Sequence, residues 1–132
     1  NYVDRKGGAP VAIYSQTVDE QFYPYIRPQE TGTKSDVRYW RQIDLGKRGI
    51  EIVADAPFSA SALHYTQESL DEGLTKKQAH SQEEKPDTNV WLCIDKAQCG
   101  LGGIDSWGAH PLPKYTLPYA DRTFSFKITP IK

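Results

Sequence analysis

Few side chains in this sequence could do chemistry, and the most deliberate of them is a tryptophan. Four glycines fall within Gly100-Leu101-Gly102-Gly103-Ile104-Asp105-Ser106-Trp107-Gly108. Such density weakens helix and strand alike and lets the backbone take positive φ and turn tightly. The turn fixes where Trp107 points, and His110, Pro111 and Pro113 stiffen the exit. An indole held in this way is either a plug over the core or a flat apolar surface offered to a ligand. Residue chemistry alone favours the plug, because large aromatics are mostly buried.

Glycosidic chemistry would need two carboxylates across a bond, about 5 to 9 Å apart. The candidates are Glu30, Asp36 and Asp105. Each has a simpler structural use: Glu30 and Asp36 flank a turn, and Asp105 can close an Asx turn in its own loop. No serine sits in a nucleophile elbow, and no glycine loop leads into a helix to cradle phosphate. His64, His80 and His110 are scattered, each read as satisfied singly. A hairpin would set Cys93 opposite Cys99, but the Cα separation and dihedral of a disulfide are seldom met across neighbouring strands. Two thiols without a matching pair also make a poor zinc site. The residues supply no catalytic and no metal-binding set.

The elements that must position these groups read as β-structure. At 132 residues and 38% hydrophobic positions, the chain is one domain's worth of core. A net charge of −1 and a pI near 6.3 leave no basic footprint for nucleic acid. No apolar run approaches the ~20 residues that span a bilayer, and no signal peptide opens the chain, so a soluble protein is expected. A start at Asn1 without methionine suggests a piece of something longer.

Alternation predicts strands over 11–18, 36–45, 50–54, 58–65, 90–95, 115–119 and 123–128. Residues 22–28, twice broken by proline, are expected to be extended but not central. In the second strand Val37, Tyr39, Ile43 and Leu45 are assigned inward, in the last Phe124, Phe126 and Ile128. Gly46-Lys47-Arg48-Gly49 is assigned a hairpin, the strands around 36–65 a meander, and Trp40 and Trp91 the core. A short helical insertion is expected around 66–80, where Thr75-Lys76-Lys77-Gln78 has capping-box spacing. Residues 82–89 are read as a solvated loop. The sum is an all-β, antiparallel β-sandwich.

Several stretches together resemble a known family. Asn1-Tyr2-Val3-Asp4-Arg5 is followed by Tyr23-Pro24-Tyr25-Ile26-Arg27-Pro28-Gln29-Glu30-Thr31-Gly32 and Asp36-Val37-Arg38. Trp91-Leu92-Cys93-Ile94-Asp95 then runs into Gly100 to Trp107. In order and spacing these resemble the C-terminal domain of long-chain β-galactosidases of glycoside hydrolase family 2, over nearly the whole chain. Val3 departs from a common proline and Thr31 from a common asparagine. Cys93 and Cys99 are not part of the pattern, which lowers the disulfide further.

The resemblance implies that residues 1–132 are a single β-sandwich domain, the later part of a galactose-mutarotase-like supersandwich in a larger multidomain chain. It implies catalytic glutamates, and Mg and Na sites, on a separate (β/α)8 barrel, with no cofactor in this segment. It maps the family's active-site tryptophan onto Trp107, reversing the plug reading, with Gly102, Gly103, Asp105 and Ser106 as loop support. The partners implied are a galactoside, the barrel and the remaining strands, with neither nucleic acid nor membrane. The setting implied is bacterial cytoplasm or periplasm. Two functions follow as alternatives: an accessory domain completing a leaving-group sugar subsite, or a stand-alone carbohydrate-binding module using Trp107 with Trp40, Trp91 or Tyr23 and Tyr25.

Overall fold

A computed structural model of the chain describes residues 10–22, 32–71, 80, 82–100 and 108–132. Among these, β1 (Lys34–Val37), β4 (Phe58–Leu63) and β5 (Trp91–Asp95) form one antiparallel sheet in the order β1-β4-β5. β2 (Trp40–Ile43), β3 (Gly49–Ala54) and β6 (Phe126–Ile131) form the other, in the order β2-β3-β6. Ile52 from one sheet meets Phe58 and Ala60 from the other, with Trp40, Ile50, Leu92, Ile94 and Phe124 packed around them. The all-β sandwich expected from alternation is the fold. No helix among the described residues is long and apolar enough to cross a membrane.

The β2–β3 hairpin closes by local hydrogen bonds. Asp44 Oδ1 accepts the Arg48 N–H at 2.9 Å, the Lys47 N–H donates to Asp44 O at 3.0 Å, and Asp44 N–H donates to Arg48 O at 2.8 Å. The turn therefore sits at Asp44–Arg48, with Lys47 rather than a glycine at positive φ (64°). Gly49 already belongs to β3, paired with Ile43, and a Cβ there would run into the Gln42 carbonyl. Across the strands, Arg41 Nε holds Glu51 Oε2 at 2.6 Å on the solvent side.

β4 is buried along its whole length because both its faces are covered. Phe58 and Ala60 face the core, while Leu63 belongs to the opposite set. Two short pieces lie near the far end of this strand. A 3-10 turn, Asp19–Gln21, buries Gln21, and α1 (Gln67–Leu70) buries Leu70. α1 begins where Thr66 Oγ1 accepts the Ser69 N–H at 2.9 Å, an N-cap bond that satisfies an orphan donor. Phe22 stacks on Tyr65 with ring centroids 4.4 Å apart.

Several expectations are corrected. Residues 11–18 form no strand: Val11 and Ile13 are exposed, and Thr17 exchanges hydrogen bonds with Glu20 to start the 3-10 turn instead. The strand read over 36–45 is two strands in different sheets, because β1 carries a register irregularity with Asp36 at φ 56° and the chain bends before Trp40. Past that break the facing is inverted: Trp40 and Gln42 are half-buried, while Tyr39, Ile43 and Leu45 are exposed. The meander fails as well, since β3 and β4 lie in different sheets. A strand at 115–119 is replaced by a 3-10 turn, Pro113–Tyr115, followed by irregular chain.

The helical insertion is present as the single turn α1, while the capping-box residues Thr75 to Gln78 lie outside the described residues, as do Tyr23 to Pro28. Trp40 packs on the core as expected, but Trp91 does not, being 45% exposed. β6 begins only at Phe126, and its register pairs Phe126 with Ala54 and Ile128 with Ile52, so both share the core face. Among the described residues, however, they are only partly covered. Ile52 is 1% exposed, whereas Phe126 and Ile128 are 47% and 53% exposed.

Candidate functional site

The sequence points to the loop after β5. Trp107, with Gly102, Gly103, Asp105 and Ser106, lies outside the described residues, and so does Glu30. The flanks of the loop are defined. β5 leads to Gly100, a buried residue whose N–H donates to Tyr115 O at 2.8 Å. That bond ties the exit of β5 to the 3-10 turn Pro113–Tyr115. On the other flank Gly108 has φ 124°, a conformation that a side chain would strain. Lys96 Nζ donates to Thr123 O and joins the same exit to the approach of β6. The chain on either side of residues 101–107 is therefore tied by a backbone hydrogen bond at Gly100 and by the Lys96 ammonium.

The acidic group at the end of β5 is Asp95. Burial raises its pKa above the usual carboxylate range, partly offset by a hydrogen bond from Gln98 Nε2 at 3.3 Å. Two residues earlier, Cys93 is a free, half-buried thiol whose pKa burial pushes up, and Cys99 is free and exposed. Asp36 sits in the irregular part of β1, in another strand of the same sheet. His64 Nδ1 lies 3.0 Å from Asn89 O, and the His80 N–H donates to Glu83, so these histidines belong to separate local structures. Among the described residues no three His, Cys, Asp or Glu side chains gather where a metal could be held.

The family model described as "Beta galactosidase small chain" matches residues 1–129. The chain belongs to that family. It is 36% identical over 98% of its length to a "Beta-galactosidase" of Priestia megaterium, and 36% identical over 89% to one of Lactobacillus delbrueckii subsp. bulgaricus. A "Beta-galactosidase" of Vibrio cholerae is likewise 36% identical over 89% of the chain. The chain spans 12%, 11% and 10% of these relatives' lengths, so a β-galactosidase small-chain segment is a minor part of each.

Within this small-chain domain, the residue that sequence reasoning misplaced is Trp91. Its ring is half out of the fold, and its Nε1–H donates to Asp87 Oδ2 at 2.9 Å. The missed signal was Asp87-Thr88-Asn89, a sequence suited to an Asx turn: Asp87 Oδ1 accepts the Asn89 N–H at 3.0 Å. These bonds hold the Asp87 carboxyl below its ordinary pKa.

Proposed function

We propose that this chain is the C-terminal accessory domain of a glycoside hydrolase family 2 β-galactosidase, completing the leaving-group sugar subsite with Trp107. The observation that carries the reading is coverage: nearly all of this chain matches about a tenth of proteins named β-galactosidase. The half-exposed core face at Phe126 and Ile128 supports it, because a sandwich that continues into further polypeptide needs an uncovered face to continue from. In this reading residues 1–132 are one domain, the later part of a supersandwich, and the catalytic carboxylates with any Mg or Na belong to the barrel. The indole stacks on the C–H face of the leaving sugar, while Gly102, Gly103, Asp105 and Ser106 shape the loop that carries it. A stand-alone module is disfavoured by the same coverage.

The test is Trp107→Ala in the full-length enzyme. Losing an aromatic stack of about 1 to 2 kcal/mol weakens binding about tenfold. The loss falls on KM for a disaccharide and on transfer to acceptor sugars, because binding lost equally from ground and transition states leaves kcat in place. An activated aryl galactoside is cleaved with kcat comparable to the parent's. A folded variant that loses kcat by orders of magnitude on every substrate would refute the subsite role.

A further inference from the structure

Among the exposed apolar side chains of the described residues, those of β6 and β5 differ in their surroundings. Phe126 and Ile128 share a face with Ile52, Ala54 and Pro130, and that face continues the core. Trp91 stands instead at the start of β5, an edge strand among the described residues, with only Val90 between it and a polar run that ends at Asn89. Lys85, Thr88 and Asn89 of that run are exposed. The indole is not a loose surface ring. Its N–H is held by Asp87 Oδ2, and Asp87 Oδ1 takes the Asn89 N–H at 3.0 Å with Asn89 Nδ2 and Thr88 Oγ1 each at 3.3 Å. The Asp87 N–H in turn donates to His64 O, fixing this loop to the end of β4.

From this arrangement we propose that Trp91 and Asp87 form a second saccharide site, in which the indole stacks on a galactopyranose ring and the carboxylate accepts one of its hydroxyls. The chemistry fits at both ends. A galactose ring with its axial O4 presents C3–H, C4–H and C5–H on one side as an apolar patch the size of an indole. Asp87 Oδ2 takes the indole N–H and has a second lone pair for a hydroxyl. A ring already pinned loses little freedom on binding, so stacking is not offset by ordering. A half-exposed indole hydrogen-bonded to a carboxylate suits a ligand that is apolar on one face and hydroxylated at its edges. The choice of galactose, though not the stacking, rests on the β-galactosidase reading of the chain.

The experiment is electrophoresis of the full-length protein through native gels containing galactomannan. Its galactosyl side groups are α-linked, so a site that cleaves β-galactosides does not consume it. The native protein and Trp107→Ala should both be retarded, and Trp91→Ala should need about tenfold more polysaccharide for the same retardation. Trp91→Ala should still cleave an aryl β-galactoside at the parent rate, which reports that it is folded. If Trp91→Ala fails to fold, Trp91→Tyr, which keeps a smaller ring, should show weaker retardation than native. Migration of the native protein unaffected by galactomannan overturns the site, as does a Trp91 variant retarded like native. Retardation lost only in Trp107→Ala also overturns it, assigning the binding to the 101–107 loop. Absence of aryl galactoside cleavage by the native protein would refute the enzyme reading without touching the retardation.

Discussion

Replacing Ile128 by alanine measures what covers the open core face. Ile128 and Ile52 are direct cross-strand partners on one face, Ile52 in the central strand of its sheet and Ile128 in what is, among the described residues, an edge strand. Their side chains are alike and their exposure is not, at 53% and 1%. Ile52→Ala removes a fully buried side chain and should cost about 2 to 5 kcal/mol, the transfer and cavity terms together. By the described fold alone, Ile128→Ala loses roughly half the transfer term and leaves no cavity, about 1 kcal/mol. If the remaining polypeptide of a larger sandwich packs on this face, Ile128 becomes a core residue and its replacement costs as much as Ile52→Ala. The assay is native-state hydrogen exchange of β3 and β6 amides in the full-length protein, which reads local opening without a two-state assumption for the whole chain. A 2 to 4 kcal/mol loss accelerates exchange by about 30- to 1,000-fold, since each 1.4 kcal/mol is a factor of ten. Acceleration of tenfold or less for Ile128→Ala, beside a far larger one for Ile52→Ala, would refute the reasoning and leave the face bare.

Gly49→Ala should destabilise the β2–β3 hairpin by more than about 1 kcal/mol, because the new Cβ meets the backbone carbonyl of Gln42, which cannot rotate away; urea denaturation with a β3 probe checks it. Asp95→Asn should raise stability at neutral pH. The folded pKa of Asp95 is raised by burial, so its contribution is fully present below the unfolded carboxylate pKa of about 3.9 and is lost as pH rises through the folded value. The variant's advantage in thermal melts should therefore vanish as the pH drops below about 4; an advantage independent of pH would refute the cause. Under native conditions, a thiol reagent followed by peptide mapping should modify exposed Cys99 well before Cys93, whose buried thiol resists ionisation. Equal rates would contradict the burial of β5.

The sequence by itself determined the fold class and most of the strands that build it. Period-two alternation is a local property, so β3, β4 and β5 were legible from Ile50 to Ala54, Phe58 to Tyr65 and Val90 to Asp95, the second ending two residues earlier in the fold. The segment of interest was legible for the same reason, since a glycine-dense loop is written in consecutive residues. Gly100 is buried and Gly108 has φ 124°, while residues 101–107, Trp107 among them, fall outside the described residues.

Only the tertiary structure decided which sheet each strand joins and which face looks inward. A bend at Arg38 and Tyr39 breaks one apparent strand in two, and past that break the facing changes, with Ile43 outward and Trp40 inward. Pairing partners also decided exposure. Phe126 and Ile128 alternate like core residues and do share the face of Ile52, but burial needs an opposing layer, and no pattern within a strand encodes whether one is there. Trp91 shows the same rule at the other sheet. Its neighbours in sequence predicted core, while an edge position and a hydrogen bond to Asp87 left its ring in solvent, because burial is a property of what lies across from a side chain rather than of the side chain.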